Sequence, residues 1–448
     1  MKRLSRFEKT NGRRPRVVIV GGGFGGLLAA QQFRGQPVDV TLIDKRNHHL
    51  FQPLLYQVAT ADLAPENIAW PIRAIFSGRR NIEILLDTVQ DVDHQLQTVS
   101  TQGRSALPYD YLLLATGAQH SYFGNTQWAP YAPGLKRIVD ANEIRKRLLM
   151  AFERAEMASD PFEQKRQLTF VIVGGGPTGV EMAGAIAELA HNALPRDFNQ
   201  IDPKDARIVL VQGGDRVLEQ VHPDLSAYAE RALERSGVEV RTGRRVSGVD
   251  QDGVDIGDVR LRAATIIWAA GVAASPAGRW LSVETDKAGR VPVDENLEVQ
   301  GRPNVFAVGD TALCHAWGGA QVPGIAPAAK QAGKHAAQRI LARLGLRRDP
   351  GPFRYVHYGN LATIGRNAAV IEIGRLRLTG RLAWWIWGIT HIAFLNGVRA
   401  PLTAGLQWIY AYLTFKKGAR LITGLAAPAQ GTGSAAKDRP ANPSKGAA

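Results

Sequence analysis

One cysteine, Cys314, stands in 448 residues. This excludes a disulfide within the chain, a mechanism that cycles a cysteine pair, and a zinc site built from several thiolates. The expected compartment is a reducing one, the cytoplasm. No uninterrupted apolar stretch reaches the ~20 residues that a bilayer-spanning helix needs. No apolar signal-like segment follows the basic start at Lys2, Arg3 and Arg6. Acid is missing from one long region: Arg375 to Arg420 holds seven Lys or Arg residues and no Asp or Glu. Much of the formal net charge of +15 therefore gathers near the C-terminus, where it favours an anionic partner. With 45% hydrophobic and 21% charged residues the chain is not mainly disordered, and its length predicts two or three domains.

Glycine, by contrast, is plentiful and patterned. Arg16-Val-Val-Ile-Val20 enters Gly21-Gly-Gly-Phe-Gly-Gly26, and Leu27 to Phe33 reads as a helix. A second strand, Val38 to Ile43, ends at Asp44. This is a dinucleotide fingerprint in its proper context. Gly21 allows the tight turn, Gly23 lets phosphates approach the backbone, and Gly26 lets helix and strand pack closely. The helix N-terminus faces the pyrophosphate, and Asp44 is placed for the adenosine ribose hydroxyls. The unit recurs. Leu168 to Val173 runs into Gly174-Gly-Gly-Pro-Thr-Gly179 and a helix to about Ala190, with a partner strand from Arg207 to Val211. One such motif is a weak signal; two, each between a strand and a helix, are a strong one. Further strands end in glycine at Ala115-Thr116-Gly117 and Ala270-Gly271, and Asn304 to Val308 delivers Gly309-Asp310 at a strand's carboxyl end. The fold class expected is α/β, with two Rossmann-like dinucleotide-binding domains and a C-terminal amphipathic helical region that anchors to a membrane.

These landmarks, in this order, resemble the two-dinucleotide-binding-domain flavoproteins. The resemblance implies FAD on the first fingerprint, with Phe24, Gly25, Lys45, Val89, Ala115, Thr116, Gly117 and Gly309 beside it and Asp310 on the ribityl chain. It implies NAD(P)H on the second, at Gly174, Gly176, Pro177, Thr178, Gly179, Gln212, Ala270 and Gly271. The FAD domain would be discontinuous, 10–118 plus 290–345, with the NAD(P)H domain, 119–289, inserted. A membrane-associating region at 346–425 and a disordered tail at 426–448 would follow.

Four segments are similar, more narrowly, to type II NADH dehydrogenases, the non-proton-pumping NADH:quinone oxidoreductases. They are His49 to Ala59, Gly176 to Gly184, Pro323 to Gly333 and Tyr358 to Gly365. The resemblance implies a hydride passed from NADH to FAD and electrons passed on to a membrane quinone. Ala326, Pro327 and Gln331 would line the flavin and quinone pocket. Pro327 stands where many members carry a first glutamine; Gln331 matches the second and would offer one amide to a quinone carbonyl. Glu181 would help deliver protons, although Thr178-Gly-Val-Glu181 also has the spacing of a capping box. Gln212 stands where an NADH-specific site usually carries an acid. With Arg216 close in sequence, that opens use of NADPH, structural indifference being the other reading.

His48, His49 and Cys314 have no metal-like spacing, so no metal site is expected. Ala400 to Phe415 is uncharged and precedes Lys416, Lys417 and Arg420. It reads as an interfacial helix with an aromatic face on an anionic membrane surface, or as part of a helical pair that covers the core or closes a homodimer. The expected location is peripheral, on the cytoplasmic face of the inner (plasma) membrane. Two rivals remain: a soluble reductase of an acidic iron–sulfur carrier, and a non-catalytic flavoprotein. For nucleic acid there is only bulk charge, and none is expected as a partner.

Overall fold

The computed structural model describes residues 13–395, 399–414 and 418–423. The basic N-terminal residues, Phe415, Lys416, Lys417 and the tail expected at 426–448 lie outside the described residues. The chain opens with strand β1 (Arg16–Val20), helix α1 (Phe24–Gln32) and strand β2 (Asp39–Asp44). A short helix α2 (Leu55–Ala59) and strands β3 (Ile82–Leu86) and β4 (Tyr111–Leu114) follow. The second unit holds β5 (Thr169–Val173), α3 (Pro177–Glu188), β6 (Arg207–Val211), β7 (Val238–Arg241) and β8 (Thr265–Trp268). The chain then returns through β9 (Val305–Ala307) and α4 (Ala326–Arg343).

Strand β9 lies beside β4, so the first sheet has the order β9-β4-β1-β2-β3 although its strands come from both ends of the chain. Its pairings are parallel, as are those of the second sheet, β7-β6-β5-β8. Parallel sheets carry helices on both faces, which explains why β4, β5 and β8 are unbroken runs of buried residues. Two short antiparallel strands, Ala118–His120 and Val272–Ala274, tie the units together.

Glycine sets the closest helix contacts. A Cβ on Gly333 of α4 would lie 2.0 Å from the Gly25 carbonyl oxygen of α1, so these helices touch backbone to backbone. A Cβ on Gly184 of α3 would lie 1.9 Å from the Ile364 oxygen, in an antiparallel sheet of β10 (Asn360–Gly365), β11 (Ala368–Ile373) and β12 (Leu376–Thr379).

Helices α5 (Gly380–Ala393) and α6 (Arg399–Thr414) come last. Their inner side belongs to the core: Ala383, Trp387 and Ala404 are buried, and the Trp408 ring stacks on Trp384 and Trp387 at 5.6 and 5.4 Å. Trp408 is thus a packing residue and not part of the outward aromatic face expected of this helix. Its indole N–H donates to the buried Gln57 side-chain oxygen (3.0 Å), which needs a donor there. The outer side is apolar nonetheless. Leu382, Trp385, Ile389 and Phe394 on or just after α5, and Leu402, Leu406 and Ile409 on α6, are each at least 43% exposed. His391 does not break this character: burial pushes its pKa down to about 4, and its ring stacks on Trp387 with Nδ1–H donating to the Trp387 carbonyl. No described helix is long and apolar enough to cross a membrane.

Candidate active site

The first glycine turn is forced by contacts no other residue permits. Gly21 has φ +106°, and a Cβ there would meet the Ala115 oxygen at 2.3 Å; a Cβ on Gly26 would lie 1.9 Å from the Gly21 oxygen. A Cβ on Gly23 would meet nothing within 4 Å, which leaves open space over the start of α1. That combination is what a pyrophosphate at a helix N-terminus requires. Asp44 closes the loop, its Oδ2 accepting from Gly22 N–H (2.6 Å) and its Oδ1 from Arg46 N–H (2.8 Å).

At the ends of β4 and β9 the chain is laced by hydroxyls. Thr311 Oγ1 accepts from Gly117 N–H and meets Thr116 Oγ1, both at 3.0 Å, and Thr116 also contacts Ser275. Gly309 takes φ +67° and presents Asp310, whose carboxylate makes no hydrogen bond or ion pair among the described residues. An open cradle at Gly23, an acid at Asp44 and a free carboxylate at Asp310 fit FAD at its pyrophosphate, ribose and ribityl chain. Lys45 is exposed beside this site, while the Val89 side chain is packed in the core, so any contact it makes to a cofactor would come from its backbone. Gly23→Val should fill the phosphate space. The purified variant is expected to lose its flavin absorbance, and full retention of the yellow colour would refute the assignment.

The second turn repeats the first. Gly174 has φ +112° with Ala269 and Ala270 backbone 2.8 Å from a would-be Cβ, Gly179 abuts the Gly174 oxygen (1.7 Å), and Gly176 is open. Gln212 takes the place of Asp44, its Oε1 accepting from Gly175 N–H at 2.8 Å. Gly271 has φ +71° and lies under the exposed ring of Phe123. Arg216 does not face a phosphate: its guanidinium donates to the backbone oxygens of Val221 and Glu219, both at 2.7 Å.

Two readings of the α3 sequence now separate. The N-cap of α3 is Gly176, Thr178 is its second residue, and no side chain caps it. Gly-Pro starts the helix two residues earlier than a capping box would need, so Glu181 is not a cap. Glu181 lies one turn before Gly184, and the close seat of Gly184 on β10 brings the Glu181 carboxyl to the Thr363 N–H. Burial pushes the pKa of Glu181 well above the usual glutamate range, and the Thr363 hydrogen bond offsets this only in part. Tyr56 of α2 is pushed up too, by burial first and by nearby Glu181 second. The Gln57 amide donates to the Tyr56 hydroxyl (2.9 Å) while accepting from Trp408, so a hydrogen-bonded chain runs from α6 to the neighbour of Glu181.

On α4, Ala326 and Pro327 occupy the first turn. Gln331 departs from expectation. Its Nε2 donates to the Val356 oxygen (2.8 Å) and its Oε1 accepts from the Val356 N–H (3.0 Å). The oxygen and one N–H of the amide are thus engaged by one backbone residue, and Gln331 fastens the segment after Phe353 to α4; only its second N–H is left to donate to another partner. The neighbouring residue, which sequence reasoning passed over, has the reverse character. Lys330 places its ammonium 5.2 Å from the Phe24 ring centre and 5.0 Å from that of Phe394, with no hydrogen-bond acceptor or carboxylate among the described residues. Burial lowers its pKa below the usual lysine range. A lysine embedded in an Ala-rich helix gave no signal, because its cage comes from residues distant in sequence on either side, Phe24 and Phe394.

His49 is a packing residue: burial pushes its pKa to about 4, Nδ1–H donates to the Gly22 carbonyl (3.0 Å), and its ring meets Phe24 edge-on. Cys314 is buried, which raises its thiol pKa and keeps it from nucleophilic use. No cluster of metal ligands occurs among the described residues.

Residues 15–333 match the pyridine nucleotide-disulphide oxidoreductase family. The chain is 43% identical over 428 residues to the type II NADH:quinone oxidoreductase NdhA of Mycobacterium tuberculosis, covering 92% of this chain and 90% of that one. To Ndh of the same organism it is 42% identical over 453 residues, covering 95% and 97%. Among solved structures, NDH2 of Plasmodium falciparum in complex with NADH superposes with a TM-score of 0.82 at 21% identity, covering 90% of this chain and 99% of that one.

Proposed function

The chain belongs to the type II NADH:quinone oxidoreductases, within the pyridine nucleotide-disulphide oxidoreductase family, and on that premise we propose that it passes a hydride from NADH to FAD and electrons to a membrane quinone, without pumping protons. FAD, when bound, supplies the hydride acceptor and the relay of electrons. The protein's part is placement and protons. The Gly21–Gly26 cradle, Asp44 and Asp310 hold the flavin nucleotide; the Gly174–Gly179 cradle holds the nicotinamide nucleotide. Glu181, whose pKa burial raises well above the usual glutamate range, is the carboxyl placed to pass a proton beside the electron path, and quinone reduction consumes two. The chief support is the pairing of two Cβ-free cradles with one desolvated carboxyl. Anaerobic mixing of flavin-loaded protein with NADH, then with a water-soluble quinone, tests it. Bleaching by NADH without recovery on adding quinone would favour the rival acceptor, an iron–sulfur protein.

The membrane attachment rests on the outward apolar face of α5 and α6, flanked by Arg375 and Arg381. On this reading the enzyme sits at the cytoplasmic face of the inner membrane, and a homodimer through the same face is the competing use. Phe394 is on that face and also covers Lys330, so the quinone meets Lys330 on its way from the bilayer to the flavin. The ammonium stabilises negative charge as it grows on the quinone oxygen. Lys330→Met should raise the quinone KM by roughly tenfold, the scale of one charge-assisted hydrogen bond, and leave NADH-to-ferricyanide turnover unchanged. Equal quinone KM values in variant and wild type would remove Lys330 from the pathway.

A further inference from the structure

The second nucleotide site lacks the acid that its first counterpart has, yet a carboxylate stands beside it. In the first unit the side chain that meets the glycine loop, Asp44, is itself the acid. In the second, Gln212 uses its oxygen on Gly175 N–H and turns its NH2 outward, where it donates to Glu219 Oε1 at 3.2 Å. The negative charge has moved one side chain further out.

Glu219 is held there from several sides. Leu218 before it is buried and takes the left-handed conformation (φ +50°), which a leucine adopts only under constraint. The Leu218 N–H donates to the Gly175 oxygen (2.8 Å), tying the segment to the glycine loop. Arg216 donates to the Glu219 carbonyl and fixes the turn. Gly214 leaves room for the carboxylate: a Cβ there would lie 1.6 Å from Glu219 Oε1. Across the loop, exposed Arg244 and Arg245 make no ion pair among the described residues, and the Arg245 stem runs 3.4 Å from the Cβ position of Gly213. Cations beside an outward amide would welcome a 2′-phosphate; Glu219 opposes it.

We infer that Glu219, through the Gln212 amide, is the residue that selects NADH over NADPH: its carboxylate accepts from the adenosine 2′-hydroxyl and repels a 2′-phosphate. This rests on the second cradle being the nicotinamide-nucleotide site. It replaces the expectation that Gln212, with Arg216 close by, opens the site to NADPH.

The test compares wild type and Glu219→Gln as flavin-loaded proteins, with kcat/KM for NADH and NADPH against a soluble quinone, and with calorimetric binding of ADP-ribose and of adenosine 2′,5′-bisphosphate. Wild type should prefer NADH. Glu219→Gln should raise kcat/KM for NADPH by roughly tenfold or more, by removal of like-charge repulsion, and should tighten the bisphosphate more than ADP-ribose. The gain should shrink with salt, because the arginines it exposes are at the surface. Glu219 is exposed, so the fold does not depend on it. An unchanged NADPH-to-NADH ratio, or a wild type that uses both equally, would overturn the inference. A wild type that binds ADP-ribose but oxidises neither nucleotide would overturn the oxidoreductase reading itself, and the role of Glu219 with it.

Discussion

Glu181→Gln is expected to take up hydride from NADH at the wild-type rate and to reduce quinone about 10²-fold more slowly, the lower end of general acid–base effects. The amide keeps the size of the carboxyl, so the flavin and nicotinamide cradles should be undisturbed, but it cannot release a proton. Stopped-flow separation of flavin bleaching from flavin recovery reads the two halves independently, and recovery at the wild-type rate would take Glu181 out of the proton path. A second readout follows from its raised pKa. The folded chain holds this proton more tightly than the unfolded chain does. Its contribution to stability is therefore full below the ordinary glutamate value of 4.5 and is lost as pH rises toward the raised value. Glu181→Gln has no proton to lose, so its stability should vary less with pH over that window. A role confined to packing would alter stability without slowing flavin recovery.

Replacing Leu402, Leu406 and Ile409 by serine should detach the protein from anionic vesicles while leaving NADH-to-ferricyanide activity in place. All three are more than half exposed, so the substitutions remove no core contact. Fully burying such a side chain contributes roughly 1.5–3 kcal/mol. Only the exposed part of each is left to bury, so losing three of them would lower vesicle affinity by on the order of 10²-fold at the low end. Basic residues each add ~1 kcal/mol near an anionic leaflet, and salt weakens that share alone. The wild type should accordingly stay partly bound in high salt and the triple variant should not. Co-sedimentation with vesicles of phosphatidylglycerol and phosphatidylcholine reads both. Unchanged binding of the variant, or a wild type released completely by salt, would assign the apolar face to a second copy of the chain. Deleting everything after residue 380 is a poorer test, since Ala383, Trp387 and Ala404 are core residues.

What the sequence discloses is whatever is local. β-Branched runs that end in Gly-x-Gly-x-x-Gly locate both cradles, because the turn, the open phosphate position and the helix contact all fall within six residues. The strand-end residues Asp44 and Gln212 are legible for the same reason. Where a side chain's fate depends on a distant partner, sequence reasoning misses or misassigns it. Gln331 is matched by position, but its amide oxygen and one N–H are taken by Val356 from a loop 25 residues away. Lys330 acquires its aromatic cage from Phe24 and Phe394. Glu219 reaches Gln212 only because Leu218 adopts a left-handed backbone, which nothing in a leucine announces. The capping-box spacing at Thr178 is local too, yet it loses to the stronger Gly176-Pro177 start of the same helix.

The link from Trp408 through Gln57 to Tyr56 joins the last described helix to the surroundings of the buried Glu181 carboxyl. On the proposed function, attachment and proton delivery would share one packed unit. A homologue's terminal helices could not be grafted here without bringing a matching Gln57, and drift at either end of that link would be felt at the other. On that proposal the outward face of α6 and the buried Glu181 carboxyl would be inherited as one piece.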